Sequence, residues 1–402
     1  MKYIVILGDG MADLPVPELS GKTPLECANH PNMDFIARNG VCGLVQTVPT
    51  GMPPGSDTAN LSAMGYDPAI YYTGRSPLEA VSMGIDLQLS DVTYRCNTVT
   101  LSDELELEDC VMRDYSAGEI STAESTQIIK DLNNQLKCDG LTLYPGVSYR
   151  HCLVLNNARD GAQTTPPHDI LDRPVRDYLP KGQNAALLLE LMQRSRALLK
   201  NHPVNQVRLA QGKAPVSCLW FWGEGRKPAL APFQELYGVR GSVISAVDLI
   251  KGIGICAGLN SIDVTGATGT VHTNFDGKAQ AAIHALQTNS DFVYVHLEAP
   301  DECGHQHDVP NKVRSIELID EKIIAPILQA MQESGEPFHI MVLPDHPTPL
   351  TLRTHTADPV PFALYRSENP QQGAAATYTE QAAAETGVRV EHGYQLMELL
   401  MQ

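Results

Sequence analysis

The sequence predicts an α/β protein: a doubly wound sheet domain with an inserted α+β cap. Three observations predict it. Short apolar runs alternate with helical stretches over residues 1–86 and resume from about 255, as βαβ units do. The intervening segment changes character and holds many of the arginines. Three of the apolar runs lead into Asp or His, and in open α/β sheets ligands bind at the carboxyl ends of the strands. The expected division is therefore residues 1–87 plus 251–402 as one discontinuous, metal-binding domain, with 88–250 inserted as a substrate-binding cap. A cleft between two such domains is a natural site.

The first run, Tyr3-Ile4-Val5-Ile6-Leu7, ends at Gly8-Asp9-Gly10, where the glycines permit close backbone approach. Asn32 to Gly40 reads as a short helix closed by Gly40. Pro53, Pro54 and Gly55 then make a rigid turn, and Ser56 begins a helical run through Met64. A serine at this point is either an N-cap or a nucleophile at the positive end of a helix, and the pattern leaves both open. In the cap, Tyr94–Thr100 and Tyr149–Leu155 read as strands and Asn184–Leu199 as a helix. Later come helical stretches at Lys278–Leu286, Val313–Met331 and Ala374–Thr386. Between them lie two more apolar runs. Phe292–Leu297 leads to Asp301 and His305, four apart and so on one helical face, and Phe338–Leu343 leads to Asp345 and His346, with His355 beyond.

Asp9, Asp301, His305, Asp345, His346 and His355 offer three carboxylates and three imidazoles, enough for most of two divalent-metal shells. Each alone has a plainer reading. Asp9-Gly10 is a common turn pair, Asp301 and His305 can be one exposed helical turn, and an Asp-His pair is often structural. Their shared position after strands is what joins them. A cation on the Ser56 hydroxyl would lower its pKa and make it a nucleophile for phosphoryl transfer.

A formal charge of −18 over 402 residues argues against nucleic-acid or membrane-surface partners. It leaves room for a small anionic substrate, because local cations reverse the field in a cleft. Apolar content of 43% and charged content of 19% are ordinary for a globular protein. The N-terminus lacks a secretory pattern, and nine cysteines without a C-x-x-C pair fit reduced thiols, so a cytoplasmic location is expected.

The order Asp9, Gly55-Ser56-Asp57, Asp301-x-x-x-His305, Asp345-His346 and His355-Thr-x-Asp-Pro-Val-Pro-Phe resembles the alkaline phosphatase superfamily. Within it the chain is similar to the archaeal-type branch of the cofactor-independent phosphoglycerate mutases, over almost its whole length. Gly266-Ala267-Thr268-Gly269, Asn274 and Glu298-Ala299-Pro300 extend the match. The resemblance implies an alkaline-phosphatase-like sheet domain. It assigns Asp301, His305 and His355 to one metal, and Asp9, Ser56, Asp345 and His346 to the other. It further implies that Ser56 takes the phosphoryl group from 3-phosphoglycerate and returns it to the 2-position, with no bisphosphoglycerate required. Two divalent ions are implied, typically Mn²⁺, with Zn²⁺, Co²⁺ or Mg²⁺ in some members. Substrate contacts would come from Arg150, His151, His168, Asp169, Arg208, Lys213 and Lys251. His307, two residues after His305, either competes as a ligand or only lines the cleft. A second activity stays open: phosphoryl transfer to another small alcohol, as in the homoserine kinase activity proposed for a bacterial sub-branch. The extended segment Thr164–Tyr178 would suit it, whereas the lack of a G-x-x-x-x-G-K-[ST] loop weighs against an ATP-dependent kinase.

Overall fold

Strand Lys2–Gly8 lies between two parallel partners, Phe292–Leu297 and Phe338–Leu343. A strand covered on both faces must be apolar at successive positions, not alternate ones. Ile4, Val5, Ile6 and Leu7 are accordingly all buried, as is every residue of both partners. Leu7 pairs with His296 on one side and Leu343 on the other, so the three strands finish at the same edge of the sheet. Asp9, Glu298 and Asp345 follow within two residues of those ends.

The computed structural model describes all 402 residues and resolves two compact units, Met1–Tyr72 with Ala229–Gln402, and Thr73–Pro228. The first unit holds an eight-stranded sheet in the order Asn260–Ile262, Gly241–Ile244, Phe292–Leu297, Lys2–Gly8, Phe338–Leu343, Val360–Arg366, Val41–Val45 and Arg389–Val390. Val360–Arg366 is antiparallel to both its neighbours, and all the other pairings are parallel. One apolar core runs between this sheet and the helices that cover it, which include Pro31–Arg38 and Phe275–Thr288.

Three expectations for this unit need correction. The helix expected at 313–331 begins earlier, at Val309, and passes through a wide π-helical turn at Asp320–Ile324 before ending at Ser334. The Asp320 carboxylate in that turn accepts from Met33 N (2.8 Å) and Asn32 Nδ2 (2.7 Å), and so caps helix Pro31–Arg38, whose own N-cap residue provides no side-chain bond. Gly40 does not close that helix in a left-handed conformation. It is glycine because a Cβ there would lie 2.0 Å from Leu364 O in the adjoining strand. The stretch 374–386 is helical only at Glu380–Glu385.

Glu380 is largely enclosed and accepts from Thr23 Oγ1 (2.8 Å) and Asp13 N (3.1 Å). Burial outweighs these bonds and pushes its carboxyl up to about 7, from an ordinary 4.5. A carboxyl raised on folding contributes stability that is complete below its unfolded pKa and is lost as pH rises through the folded one. Glu380→Gln is therefore expected to remove a decline in stability between about pH 4.5 and pH 8, on the order of 2–3 kcal/mol. Denaturant titrations at several pH values would reveal an unchanged slope if Glu380 is not the group responsible.

The second unit is built on an antiparallel sheet with its own apolar core. Val92–Leu101 pairs with Arg150–Leu155, with Cys218–Arg226 and, at its end, with Met112–Asp114, and Leu141–Tyr144 pairs with Arg150–Leu155. Helices Thr122–Gln135, Ala185–Leu199 and Pro203–Ala210 accompany it. Its limits fall earlier on both sides than the expected 88–250. Helix Ser76–Ser82 packs on this sheet, with Ser76 Oγ donating to Thr93 O (3.1 Å) and Glu79 paired with Arg95 (2.9 Å). Strand Gly241–Ile244, by contrast, is hydrogen-bonded into the large sheet. No helix of the chain is long and apolar enough to cross a membrane.

Candidate active site

Helix Ser56–Ala63 excludes one of the two readings of its first residue, the N-cap. The N-cap is Gly55, and Ser56 occupies the first helical position. Its hydroxyl is therefore not spent on capping. It lies 3.3 Å from Asp9 Oδ2 and 3.2 Å from His346 Nε2. One turn later, Asn60 donates to Ser56 O (2.8 Å) and to Asp345 Oδ2 (2.9 Å), while its own oxygen accepts from the buried Tyr294 hydroxyl (2.7 Å).

The six residues expected from the strand ends converge. Helix Ala299–Gln306 sets Asp301 and His305 one turn apart, with His305 Nε2 3.3 Å from Asp301 Oδ2. His355 Nε2 lies 3.4 Å from Asp301 Oδ1 and 2.9 Å from His305 Nε2. His346 Nε2 is 3.3 Å from Asp345 Oδ2 and 3.6 Å from Asp9 Oδ1. Two sets of ligand atoms can each hold a cation, Asp9–Asp345–His346 and Asp301–His346–His355. Neither set includes His305, which stands beside Asp301 and His355, and neither includes His307, whose Nδ1 bonds Leu350 O (2.6 Å) and whose Nε2 faces Glu18 (3.4 Å).

The electrostatics of this cluster suit bound cations. Burial first, then the Asp345 and Asp301 carboxylates, push the Asp9 carboxyl well above the usual range. Asp9 Oδ1 is buried and has no hydrogen-bond partner. Burial opposes ionisation of Asp301 as well, but bonds from His305 and His355 outweigh it and hold that carboxyl well below the usual range. The Asp301 hydrogen bond in turn raises His305 to about 9. Hard carboxylate oxygens with imidazole nitrogens match borderline and hard divalent ions.

Several contributing residues carried no motif in the sequence. His296, inside a strand that reads as core, places Nε2 2.9 Å from Asp9 Oδ2. Burial lowers its pKa to about 3, so the ring is neutral. Ser245 Oγ accepts from Val247 N (2.9 Å) and lies 3.1 Å from His296 Nδ1, so both ring nitrogens have partners. Lys278 is fully buried, bonds His296 O (3.0 Å), and is lowered to about 8 by burial. Asn60 could have been sought one turn after Ser56. The others gave no such signal.

Gly10 shows how closely the cluster is built. Its φ is +60°, and a Cβ there would lie 2.5 Å from Thr348 Oγ1 and 2.7 Å from Asp301 Oδ1. Gly10→Ala is thus expected to displace the Asp301 carboxylate and lower turnover by about 10²-fold. Kinetics of that variant matching the parent would show that the loop relaxes freely.

The residues expected to contact substrate are less uniform. Lys251 sits on helix Asp248–Cys256, which packs against helix Ser56–Ala63, and its Nζ is 2.6 Å from Asp263 Oδ1. In the Thr73–Pro228 unit, Arg150 and His168 are exposed, with Asp169 beside His168 (3.6 Å), and Lys213 is exposed on a loop. Two assignments there are corrected. Arg208 is 1% exposed, and its guanidinium is committed to Glu124 (3.0 Å), Ala214 O (2.9 Å) and Ala117 O, which leaves it a structural role. His151 is enclosed and held neutral by burial, its pKa lowered to about 3. Arg95, not anticipated, lies 4.1 Å over the Trp222 ring, with His168 against the same ring and Arg150 over Tyr149.

A family model described as 2,3-bisphosphoglycerate-independent phosphoglycerate mutase matches residues 37–205. Proteins of that name from Methanothrix thermoacetophila and Methanosarcina barkeri are 50% and 48% identical, over 401 and 406 aligned residues, and each match spans 100% of both chains. Among solved structures, a Pyrococcus horikoshii protein superposes with a TM-score of 0.83 at 29% identity, covering 100% of this chain and 96% of its own. A cofactor-independent phosphoglycerate mutase from Thermoplasma acidophilum gives 0.71 at 26% identity, covering 100% and 99%. With full-length identity near one half, the chain belongs to the 2,3-bisphosphoglycerate-independent phosphoglycerate mutase family.

Proposed function

We infer that this chain interconverts 3-phosphoglycerate and 2-phosphoglycerate without added bisphosphoglycerate, through a phosphoserine at Ser56. The observation that carries this reading is the Ser56 hydroxyl, free of capping duty and 3.3 Å from the Asp9 carboxylate and 3.2 Å from His346. Full-length relatives of that name support it. Asp9, Ser56, Asp345 and His346 would hold one divalent ion, and Asp301, His305 and His355 the other, with Mn²⁺ the first choice. When bound, such ions supply charge neutralisation for the transferring phosphoryl group and acidify the serine hydroxyl.

The chain's own residues supply the rest. Ser56 opens helix Ser56–Ala63, so the positive end of the helix dipole would favour an anion attached to it. The Ser56 oxygen forms a bond to phosphorus as the bond to the 3-oxygen of glycerate breaks, and the serine proton is transferred to that oxygen. The 2-hydroxyl then attacks the phosphoserine, and its proton goes back to Ser56. No phosphate is gained or lost in the cycle. Among the residues that the resemblance implies, Arg150 and His168 are exposed on the Thr73–Pro228 unit and have the chemistry to bind a carboxylate, and Lys251 would serve the phosphoryl group. The test is an enolase-coupled assay with 3-phosphoglycerate and Mn²⁺, with no bisphosphoglycerate added. Steady formation of 2-phosphoglycerate is expected. Free phosphate as the main product would overturn the mutase reading, as would an absolute need for ATP.

A further inference from the structure

Behind the cluster lies a buried ion pair that touches none of its ligand atoms. Lys312 is fully buried, and its Nζ donates to Asp13 Oδ2 and to Thr348 O, each at 2.7 Å. Asp13 also accepts from Leu350 N (3.2 Å), and Thr348 N donates to Ala12 O (3.2 Å). Three chain segments meet at this ammonium. Asp13 ends the loop that carries Asp9. Thr348 lies in the loop that carries Asp345 and His346. Lys312 is on helix Val309–Ile319, immediately after the helix that carries Asp301 and His305. Replacing a buried ion pair by apolar packing of the same volume is often neutral or stabilising. Stability alone therefore does not account for a charge at this junction.

Thr348 is held from three sides. A Cβ on Gly10 would come within 2.5 Å of its Oγ1, and a Cβ on Gly304 within 2.5 Å of its carbonyl oxygen. Its hydroxyl donates to Asp301 Oδ1, from one ligand set, and lies 3.3 Å from Nδ1 of His346, which both sets share. That hydroxyl has one proton, and Asp301 takes it. Toward His346 it can only accept, which puts the imidazole proton on Nδ1 and leaves the Nε2 lone pair facing Asp345 and Ser56.

We propose that Thr348 and Lys312 are positioning residues for the paired cations. Thr348 fixes the tautomer and tilt of His346 and the pose of Asp301, and Lys312 with Asp13 locks the three ligand-bearing segments in register. This rests on the two-cation reading of the site. Partners of metal ligands that orient them in this way are worth about 10–100-fold in metal affinity.

The test measures Mn²⁺ binding directly on chelator-stripped protein, by the paramagnetic resonance signal of free Mn²⁺ and by calorimetry, with the thermal midpoint recorded alongside. Thr348→Val removes the hydroxyl at nearly constant shape, and Thr348→Ser restores it. Lys312→Met with Asp13→Asn removes the pair without stranding a charge. The parent is expected to bind two equivalents. Thr348→Val should melt within a few degrees of it in the metal-free state yet bind Mn²⁺ about 10–100-fold more weakly, and Thr348→Ser should recover most of that loss. The double variant should also lose affinity. Two equivalents bound by Thr348→Val with the parent's affinity would overturn the proposal while leaving the two-cation reading intact. A parent that binds fewer than two equivalents would overturn both.

Discussion

Replacing Ser56 with alanine is expected to lower turnover of 3-phosphoglycerate by roughly 10⁴-fold or more, and to abolish any phosphoprotein trapped during the reaction. The size follows from what the hydroxyl does and does not do. As the first residue of its helix rather than the cap, it supports no backbone group. Its two near neighbours, Asp9 Oδ2 and His346 Nε2, belong to the cluster rather than to the core of the sheet. Ser56→Ala should therefore fold normally, with a stability change of about 0.5 kcal/mol or less. Such a combination is not the mark of a structural serine, whose removal would cost stability and spare turnover. An enolase-coupled assay and intact-mass analysis after a brief substrate pulse check the two halves. Turnover within tenfold of the parent would exclude a covalent route through this residue.

How much of this was legible beforehand depends on what kind of signal each residue leaves. Strands buried on both faces leave continuous apolar runs, so Lys2–Gly8, Phe292–Leu297 and Phe338–Leu343 stand out, and so do the acids that follow them. Shorter strands such as Val41–Val45 and Gly241–Ile244 leave no comparable run, and tertiary pairing alone defines them. The boundary of the inserted unit was misplaced for a related reason. Residues 73–87 look like more of the same alternation, and only the contacts of Ser76 and Glu79 with the Val92–Leu101 strand assign them to the insertion. Among the site residues, the six metal-ligand candidates follow strands, and position reveals them. His296 and Thr348 act through direction, and an apolar strand or a loop says nothing about where one side chain points. Arg208 and His151 illustrate the converse error. The resemblance implies a substrate contact for each, but Arg208 is enclosed by carbonyls and Glu124. The extended strand Arg150–Leu155 turns His151 inward.

The second large effect is expected at Asp9, where stability and activity should move in opposite directions. Asp9→Asn should lower turnover by about 10³-fold or more, because it withdraws one full charge from the phosphoryl-transfer site. In chelated protein the same change should raise the thermal midpoint. Asp9 is 2% exposed, near the Asp301 and Asp345 carboxylates, and one of its oxygens has no partner. Burial and those two charges hold its carboxyl well above the usual range, so without cations the ionised form strains the fold. A carboxyl raised on folding contributes stability that is present below its unfolded pKa and lost as pH rises through the folded one. The advantage of Asp9→Asn over the chelated parent should therefore be small in acid and grow toward alkaline pH. Added Mn²⁺ should reverse the order, since an ion present at a hundred times its Kd stabilises the parent by about 2.7 kcal/mol and the weaker-binding variant by less. Melting curves of both proteins at several pH values, with chelator and with Mn²⁺, decide the matter. If the chelated parent is as stable as Asp9→Asn at alkaline pH, the three carboxylates are not held in repulsion, and the cluster has no electrostatic reason to recruit cations.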